Sequence, residues 1–579
     1  KTVAYGALLG GKLFNATMPS AWNLQAAGTS GPRFSGGIGA GEAPAKPVSD
    51  YTIVGTSVPR IDIPAIASGS YTYIHNVRIP GMLHGRIVRP RGQAVYGFGA
   101  PIVSVDESSI AHIPNVRLVR KGNFLGVVAP KEYDAIEAAA QLKVKWADPP
   151  AVLAGSGNEF EHMRALDSAG KNVQWTPAAL NGVTVNSGNV DAALAAAAHT
   201  VSHTYGWPTN IHTPIGPQCS IADVTPQGVR VFSGTQGPYA TQQQVAAVLG
   251  LPLNQVRVTA YPMGGCYGDG AQYFDTAQAA ALMSQAVGAP VRVVLMRWDE
   301  IGWGQTAPGA LMDIRAGIDG KGNLVAFDWT HFYPQYWANS VQTNAELSGA
   351  PIPATSSGIS GNMWPVPMYQ VPNVRYLLKS IPLRDNWIKV YWMRGGSSPA
   401  ATFAGEQVID ELARAANMDP VAFRLQNLTQ GDTTPSPTVL NPNEGQSHSA
   451  LLAVLEAATN AAGWKPRVTA SSLSDANVVT GRGFAMSNVD NTSYYAQNAA
   501  IADVEVNKKT GKITVKHVWQ ATSGGLSVGL DLVANQIVGG VIQILSRLLV
   551  EQYVYTKTNT MSADFVSYPI LRFKDHPQV

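Results

Sequence analysis

Only two cysteines, Cys219 and Cys266, occur in 579 residues. That excludes a disulfide framework and leaves no CxxC spacing for zinc or iron–sulfur ligation. Any relay of metal clusters must sit on another chain. Charge is also scarce, at 14% of residues, and 41 basic against 38 acidic side chains leave a net charge of +3. A balance this even argues against binding a phosphate backbone, and no nucleic-acid partner is expected. A membrane-spanning helix needs about 20 apolar residues, and the longest apolar run, 533–550, is broken by Asn535, Gln536, Gln543, Ser546 and Arg547. It reads as a buried helix. The opening Lys1-Thr2-Val3-Ala4-Tyr5-Gly6 has no initiating Met and no charged-then-apolar signal pattern, so the chain reads as processed or incomplete at its start. No repeat of fixed period is present.

What the chain does have is 45% hydrophobic residues, 57 Gly and 38 Pro. This describes a densely packed, loop-rich protein too long for a single core. Residues 20–50 are rich in Gly, Ala, Ser and Pro and read as an irregular linker, giving an N-terminal segment over 1–50. An α+β module follows over 51–175, with β-like runs at 70–74 and 116–119 and a helix at 132–142. A second region, 176–432, opens with an Ala-rich helix near Asn189 and contains strands at 229–232 and 256–260. It closes with a helix at 408–416 and another starting at Asp419-Pro420, where Asp419 can cap and Pro420 can fill the first turn. A third region, 433–579, carries a helix at 450–462, strands at 502–506 and 513–518, and the 533–550 helix.

Three stretches each join backbone exposed by glycine to one planar hydrogen-bonding side chain. In Gly264-Gly265-Cys266-Tyr267-Gly268, with Gly270 beyond, glycine frees the backbone to present N–H groups to an anionic or metal-oxo oxygen. The spacing fits neither the dinucleotide fingerprint nor the Walker A loop, and by pattern alone a plain tight turn is the favoured reading. Gln236, in Thr235-Gln236-Gly237-Pro238-Tyr239, puts an amide that both donates and accepts at the end of a strand; alone it is an ordinary turn residue. Arg394, in Met393-Arg394-Gly395-Gly396, offers a planar fork suited to carboxylate, phosphate or oxo groups, or to a surface ion pair. His203 and His212 lack the further ligand a zinc site needs. Trp298, Trp303, Trp329, Trp337 and Trp392 suit an apolar substrate funnel, although large aromatics more often fill cores.

Taken together and in this order, these stretches resemble the molybdopterin-binding large subunits of the xanthine dehydrogenase and aldehyde oxidase family. The nearer likeness is to the subfamily of isoquinoline and nicotinate dehydrogenases and membrane-bound aldehyde dehydrogenases. Pro59-Arg60-Ile61-Asp62 and the stretch from Arg78-Ile79-Pro80-Gly81 to Val88-Arg89-Pro90 resemble the small hammerhead-like domain that precedes the cofactor domains there. Phe403-Ala404-Gly405-Glu406 through Leu425 is among the closest matches. Asn535-Gln536-Ile537-Val538-Gly539-Gly540 is similar to the family's Gln-Ile-Glu-Gly segment, with Val538 in place of Glu. Ala521-Thr522-Ser523-Gly524-Gly525 departs further, so the third region is the least typical. Glu406 and Glu411 read as structural, as acidic residues near a helix start.

The resemblance implies an α+β fold: a small hammerhead-like domain, then large mixed α/β domains that bind molybdopterin. It implies a molybdopterin cytosine dinucleotide carrying molybdenum, with Gln236, Tyr267 and Arg394 near the metal and none of them a direct ligand. Gly264, Gly265, Cys266, Gly268 and Gln536 complete the implied cofactor contacts. The implied reaction is hydroxylation of an aldehyde or N-heteroaromatic ring with water-derived oxygen. Electrons would pass to a small 2Fe–2S subunit and from there to a cytochrome c subunit, at a periplasmic or membrane-associated location, or else in the cytoplasm.

The family's general base is a glutamate in a Gly-x-Gly-Glu-x-Pro segment beyond the position matched by Ser567-Tyr568-Pro569-Ile570-Leu571. It falls past Val579, outside this sequence. Gly39-Ala40-Gly41-Glu42-Ala43-Pro44 has the same letters but lies in the linker and reads as coincidence. A Gly-Gln-Gly stretch expected before Tyr5-Gly6 is also absent. A non-catalytic paralogue or assembly partner that keeps the fold is the competing reading.

Overall fold

The computed structural model describes residues 47–90, 101–148, 153–168, 174–177, 179–180, 183–184, 186–271, 275–334, 346–347, 368–381, 390–428, 448–466, 476–491 and 494–579. Trp337, the Gly39–Pro44 stretch and most of the linker lie outside these. The chain divides into two units, 1–58 with 527–530, and 59–526 with 531–579. In the first, Val48–Asp50 forms a single 3-10 turn and Thr56 bridges Gly529 in parallel.

The second unit is mixed α and β. Its largest sheet has seven strands, in the order Val256–Ala260, Gly228–Ser233, Cys219–Thr225, Val291–Val294, Leu83–Ile87, Phe124–Ala129 and Arg117–Lys121. Leu83 pairs with Val291 in parallel register, so one ladder of hydrogen bonds runs from the 51–175 segment into the next. The alternating Val, Ile and Ala of these strands bury one face under the Asp275–Val287 helix, which is fully covered from Thr276 to Ser284. Alanine lets that helix lie close. Its one large intrusion, Met283, is accommodated by Gly85 and Gly126, where a Cβ would come within 2.6 and 2.2 Å of the Met283 side chain.

A six-stranded sheet runs His199–Trp207, Ala310–Ile318, Leu324–Pro334, Asn373–Ile381 and Gln174–Pro177, with Asn186–Ser187 also on Asn373–Ile381. The Ser398–Ala415 helix packs on it through Ala400, Ala401, Ala404, Val408 and Leu412. A third sheet of three antiparallel strands, Val478–Asn491, Tyr494–Asn507 and Ile513–Ser523, is covered by the His448–Ala462 helix. Arg424, fully buried, ties these layers. It pairs with Glu406 at 2.9 Å and Asp410 at 2.7 Å, and lies over the Phe484 ring.

Several expected elements are present: Arg117–Lys121, Glu132–Gln141, Gly228–Ser233, Val256–Ala260, and a Pro420–Asn427 helix capped by the Asp419 carboxylate on the Val421 and Ala422 amides. Others differ. The expected strand at 70–74 is irregular chain ending in an Ile74–Asn76 turn, because the Ile74 amide bonds to Pro262 and no neighbouring strand is there to pair. The helix expected at 408–416 starts ten residues earlier, at Ser398, with Pro399 in its first turn. Glu406 and Glu411 are therefore not near a helix start. They are structural for another reason: Glu406 is buried against Arg424, and Glu411 pairs with His203 at 2.7 Å. The helix expected to be buried, Leu530–Leu549, is instead exposed along its first turns, with Leu530 48% and Leu532 42% accessible. It is long and apolar enough to cross a membrane by length and composition, yet its polar residues face the protein, as described next.

Candidate functional site

Adjacent parallel strands deliver two of the singled-out stretches to one place. Gly228–Ser233 runs into Thr235-Gln236, and its partner Val256–Ala260 runs into the 261–270 loop. Carboxyl ends of neighbouring strands are where ligands most often meet an α/β sheet. The Gln236 backbone amide donates to Gly270 O at 3.0 Å, and the Gln236 side-chain Oε1 accepts from Gly268 N at 3.1 Å. Tyr267 O in turn accepts from Arg394 N at 2.8 Å. The Arg394 guanidinium donates to Gln536 O at 2.9 Å, Gln536 Oε1 at 3.0 Å and Gln543 Oε1 at 3.2 Å. Gln236, the glycine loop, Arg394 and Gln536 thus form one hydrogen-bonded chain, although about 300 residues of sequence separate the first from the last.

The loop backbone is held in conformations that few side chains tolerate. Gly265 has φ 120°, Gly268 φ 118°, and Tyr267, which is not glycine, φ 60°. Left-handed backbone at a tyrosine is uncommon and costs of order 1–3 kcal/mol. A Cβ on Gly268 would lie 2.2 Å from Trp392 O, and one on Gly264 2.5 Å from Gly216 N. Among the described residues, the N–H groups of Gly265, Cys266 and Tyr267 meet no acceptor. Successive unpaired amides in such a turn make a concavity for an anionic or oxo oxygen. Cys266 is a different matter: its sulfur is buried and accepts from Gly270 N, and burial raises its pKa, so it stays a thiol.

A buried polar layer supports the loop. Gln218 Nε2 donates to Asp269 Oδ2 at 2.6 Å, and Gln218 N to Glu300 Oε1 at 3.1 Å. Glu300 also pairs with Arg297. Burial pushes the Glu300 carboxyl up to about 8 and that of neighbouring Asp299 to about 7. The His212 ring lies between Gln305 O at 2.9 Å and Trp392 O at 2.6 Å, bracing the segment that leads into Arg394. His203, in contrast, is half exposed, pairs with Glu411 and meets the Tyr205 ring edge-on.

Among the described residues, Trp303, Trp329 and Trp392 sit in separate surroundings and line no common funnel. Trp303 is buried and donates to Pro90 O, Trp329 is fully buried in a stack with Phe327 and His331, and Trp392 stacks on Tyr391. Sequence reasoning missed Gln218, Asp269, Glu300, Gln543 and Arg547, and met His212 only as a histidine without the partners of a zinc site. A signal existed for two of these: Gln536, Gly540, Gln543 and Arg547 recur at steps of three and four, marking one polar face on an apolar helix. Nothing local marks the others, since their burial comes from chain segments far apart.

The molybdopterin cofactor-binding domain family matches residues 174–428, and a second family of the same description matches 398–577. Over 551 residues the chain is 34% identical to a nicotinate dehydrogenase subunit of Pseudomonas putida, covering 93% of this chain and 43% of that protein. It is 25% identical over 580 residues to the beta chain of isoquinoline 1-oxidoreductase from Brevundimonas diminuta, covering 97% and 67%. The quinoline 2-oxidoreductase structure from Pseudomonas putida 86 superposes with a TM-score of 0.72 over 91% of this chain and 90% of that one, at 16% identity, a likeness of fold. The two matched domains, which together span most of the chain, are those of a molybdopterin-binding protein. The chain belongs to the molybdopterin-binding subunits of the xanthine dehydrogenase family. It spans less than half the length of its nicotinate dehydrogenase relative.

Proposed function

We propose that this chain is the large-subunit portion of a molybdenum hydroxylase that oxidises an aldehyde or an N-heteroaromatic ring with oxygen derived from water. The observation that carries this is the linked arrangement of Gln236, the 264–268 loop, Arg394 and Gln536, with unpaired loop amides at its centre. In this reading Gly264, Gly265, Cys266 and Gly268 supply backbone contacts to a molybdopterin cytosine dinucleotide. Gln236, Tyr267 and Arg394 stand beside the metal without ligating it, and Gln536 contacts the pterin.

The bound molybdenum would supply oxygen transfer and take up two electrons. The chain's own part is to hold and orient. The Gln236 Oε1 is committed to Gly268 N, which leaves the Nε2 donors for a ligand oxygen. Arg394 fixes Gln536 through two bonds at one nitrogen, and the positive-φ loop keeps its amides turned outward. None of the described groups in this arrangement is a carboxylate free to act as base.

The partners in this proposal are those the family resemblance implies, a companion subunit carrying 2Fe–2S clusters and beyond it a cytochrome c; the two buried free thiols of this chain offer no cluster ligands of their own. A periplasmic or membrane-associated location, reached through those partners, belongs to the same proposal. The test is kinetic and analytical together. Gln236→Ala and Arg394→Met should each lower turnover by about 10²-fold, a typical effect of losing one positioned donor, with the protein still folded by circular dichroism. Unchanged turnover and unchanged molybdenum content in both variants would remove the site assignment.

A further inference from the structure

The last turn of the Leu530–Leu549 helix, the start of the Ile513–Ser523 strand and the 569–575 segment meet around an open groove of about 590 Å³. Val515 and Leu545, which line it, belong to a small core with Val518 and Val541. The apolar rim above that core stays uncovered. Ile513, Leu548 and Leu549 are exposed, and beside them the 3-10 turn Phe573–Asp575 holds Phe573 out at 94% exposure. A single exposed hydrophobic residue is ordinary, but four from three separate segments around one groove make a patch.

Cations ring this patch. Lys512, Arg572 and Lys574 line the groove, and Lys509 stands in the hairpin turn just before Lys512. Among the described residues that line it, Asp575 is the one carboxylate. Among the described residues, no carboxylate lies within ion-pair distance of Lys509, Lys512, Arg572 or Lys574, whereas the neighbouring Lys516 pairs with Glu505 at 3.5 Å. The whole chain carries only +3, so the surplus is local. The turn that carries Phe573 is also anchored at its base: an Arg572 terminal nitrogen donates to Phe565 O at 2.9 Å, and Asp575 N donates to Arg572 O at 2.9 Å.

A ring held out between two cations, beside exposed leucines, matches the order of groups at a bilayer surface. Acyl chains accept the apolar side chains while lipid phosphates meet the basic heads at the ends of their stems. An acidic protein partner would satisfy the cations but would need a matching cavity for Phe573. An anionic bilayer takes the ring without one. We propose that this patch seats the protein on an anionic lipid bilayer, with Phe573, Leu548 and Leu549 at the acyl boundary and Lys509, Lys512, Arg572 and Lys574 on the phosphates. The contact is peripheral, because the Leu530–Leu549 helix lends only its last turn while Ser546 and Arg547 are buried in the protein. It is independent of the hydroxylase reading and of any anchor on a companion chain.

The test is co-sedimentation of the native protein, with its companion chains, on vesicles of phosphatidylcholine alone and of phosphatidylcholine with about one-third phosphatidylglycerol. Binding to the anionic vesicles should be at least about tenfold tighter, since each basic residue near such a surface contributes about fivefold. Added salt should weaken it. Lys512→Gln combined with Lys574→Gln should remove most of the preference. Phe573→Ser should weaken binding to the anionic vesicles about tenfold, the weight of a large apolar side chain, with circular dichroism and molybdenum content unchanged. Equal binding to both kinds of vesicle, or binding to neither, overturns the proposal. Vesicle binding that survives all three substitutions overturns it too, and places the membrane contact on a companion chain. Loss of a companion chain from the purified variants, with vesicle binding unchanged, overturns it in favour of a protein interface.

Discussion

Glu159 shows how a single buried group ties this fold to pH. It is fully enclosed beside the Thr209 hydroxyl, and burial raises its carboxyl to about 7 from an ordinary 4.5. The folded chain therefore keeps a proton that the unfolded chain gives up, and the stability this contributes is complete below about pH 4.5 and lost as pH rises through about 7. Glu159→Gln, which keeps the shape and cannot ionise, should melt at a higher temperature than the parent at pH 8 and lose that advantage at pH 4 in scanning calorimetry. A shift independent of pH would show that the group does not titrate as its burial implies. Gly268→Ala is predicted to be more damaging, since the added methyl meets Trp392 O in a backbone conformation that already disfavours it. The expected result is folded protein with most of its molybdenum gone, read by elemental analysis; full metal occupancy would mean the loop tolerates what its geometry forbids. At this scale the candidate site was legible in part. Gln236, Arg394 and Tyr267 stood out because each is a lone functional side chain set among glycines. Asp269 and Glu300 did not, because what makes them unusual is burial by segments distant in sequence.

The helices were legible wherever capping chemistry is local. Asp419-Pro420 is the clearest instance: the carboxylate accepts from two amides of the first turn, and proline there forfeits no bond. Asp419→Ala should cost about 1 kcal/mol by denaturant unfolding. Arg424→Met should cost more, about 3–5 kcal/mol, because it strands the buried Glu406 carboxylate. If the two variants cost the same, the buried pair is not the tie between layers described above. The Leu530–Leu549 helix was recognised as a helix and misjudged in its burial. Its apolar content suggested core, whereas the interruptions at Gln536, Gln543 and Arg547 were the informative part: they face Arg394 and Asn210, and leave leucines outward at the opening turns. The start of the Ser398–Ala415 helix was missed for the opposite reason, since Ser-Pro-Ala-Ala gives no amphipathic period to read.

Across the whole molecule, the fold class followed from alternating strand and helix patterns, but the pairing of strands did not. Nothing local predicts that Leu83–Ile87 lies beside Val291–Val294, about 200 residues later, with Gly85 and Gly126 making space for Met283. Such pairings depend on long-range packing, which period and propensity do not encode. Arg89 reinforces this arrangement from the end of the same strand, buried between Glu346 at 2.6 Å and Asp275. The sheet so formed brings Gln236 and the glycine loop to one edge, where the segment that bridges Val390 to Thr306 brings Arg394 to Tyr267 O. A cofactor cradle assembled from such distant segments is the central claim. It is tested most directly by elemental mass spectrometry of molybdenum in the native protein, purified with whatever subunits accompany it. About one molybdenum per chain is the predicted result; freshly prepared, intact protein without the metal would contradict the claim and leave the 264–268 loop as a structural turn.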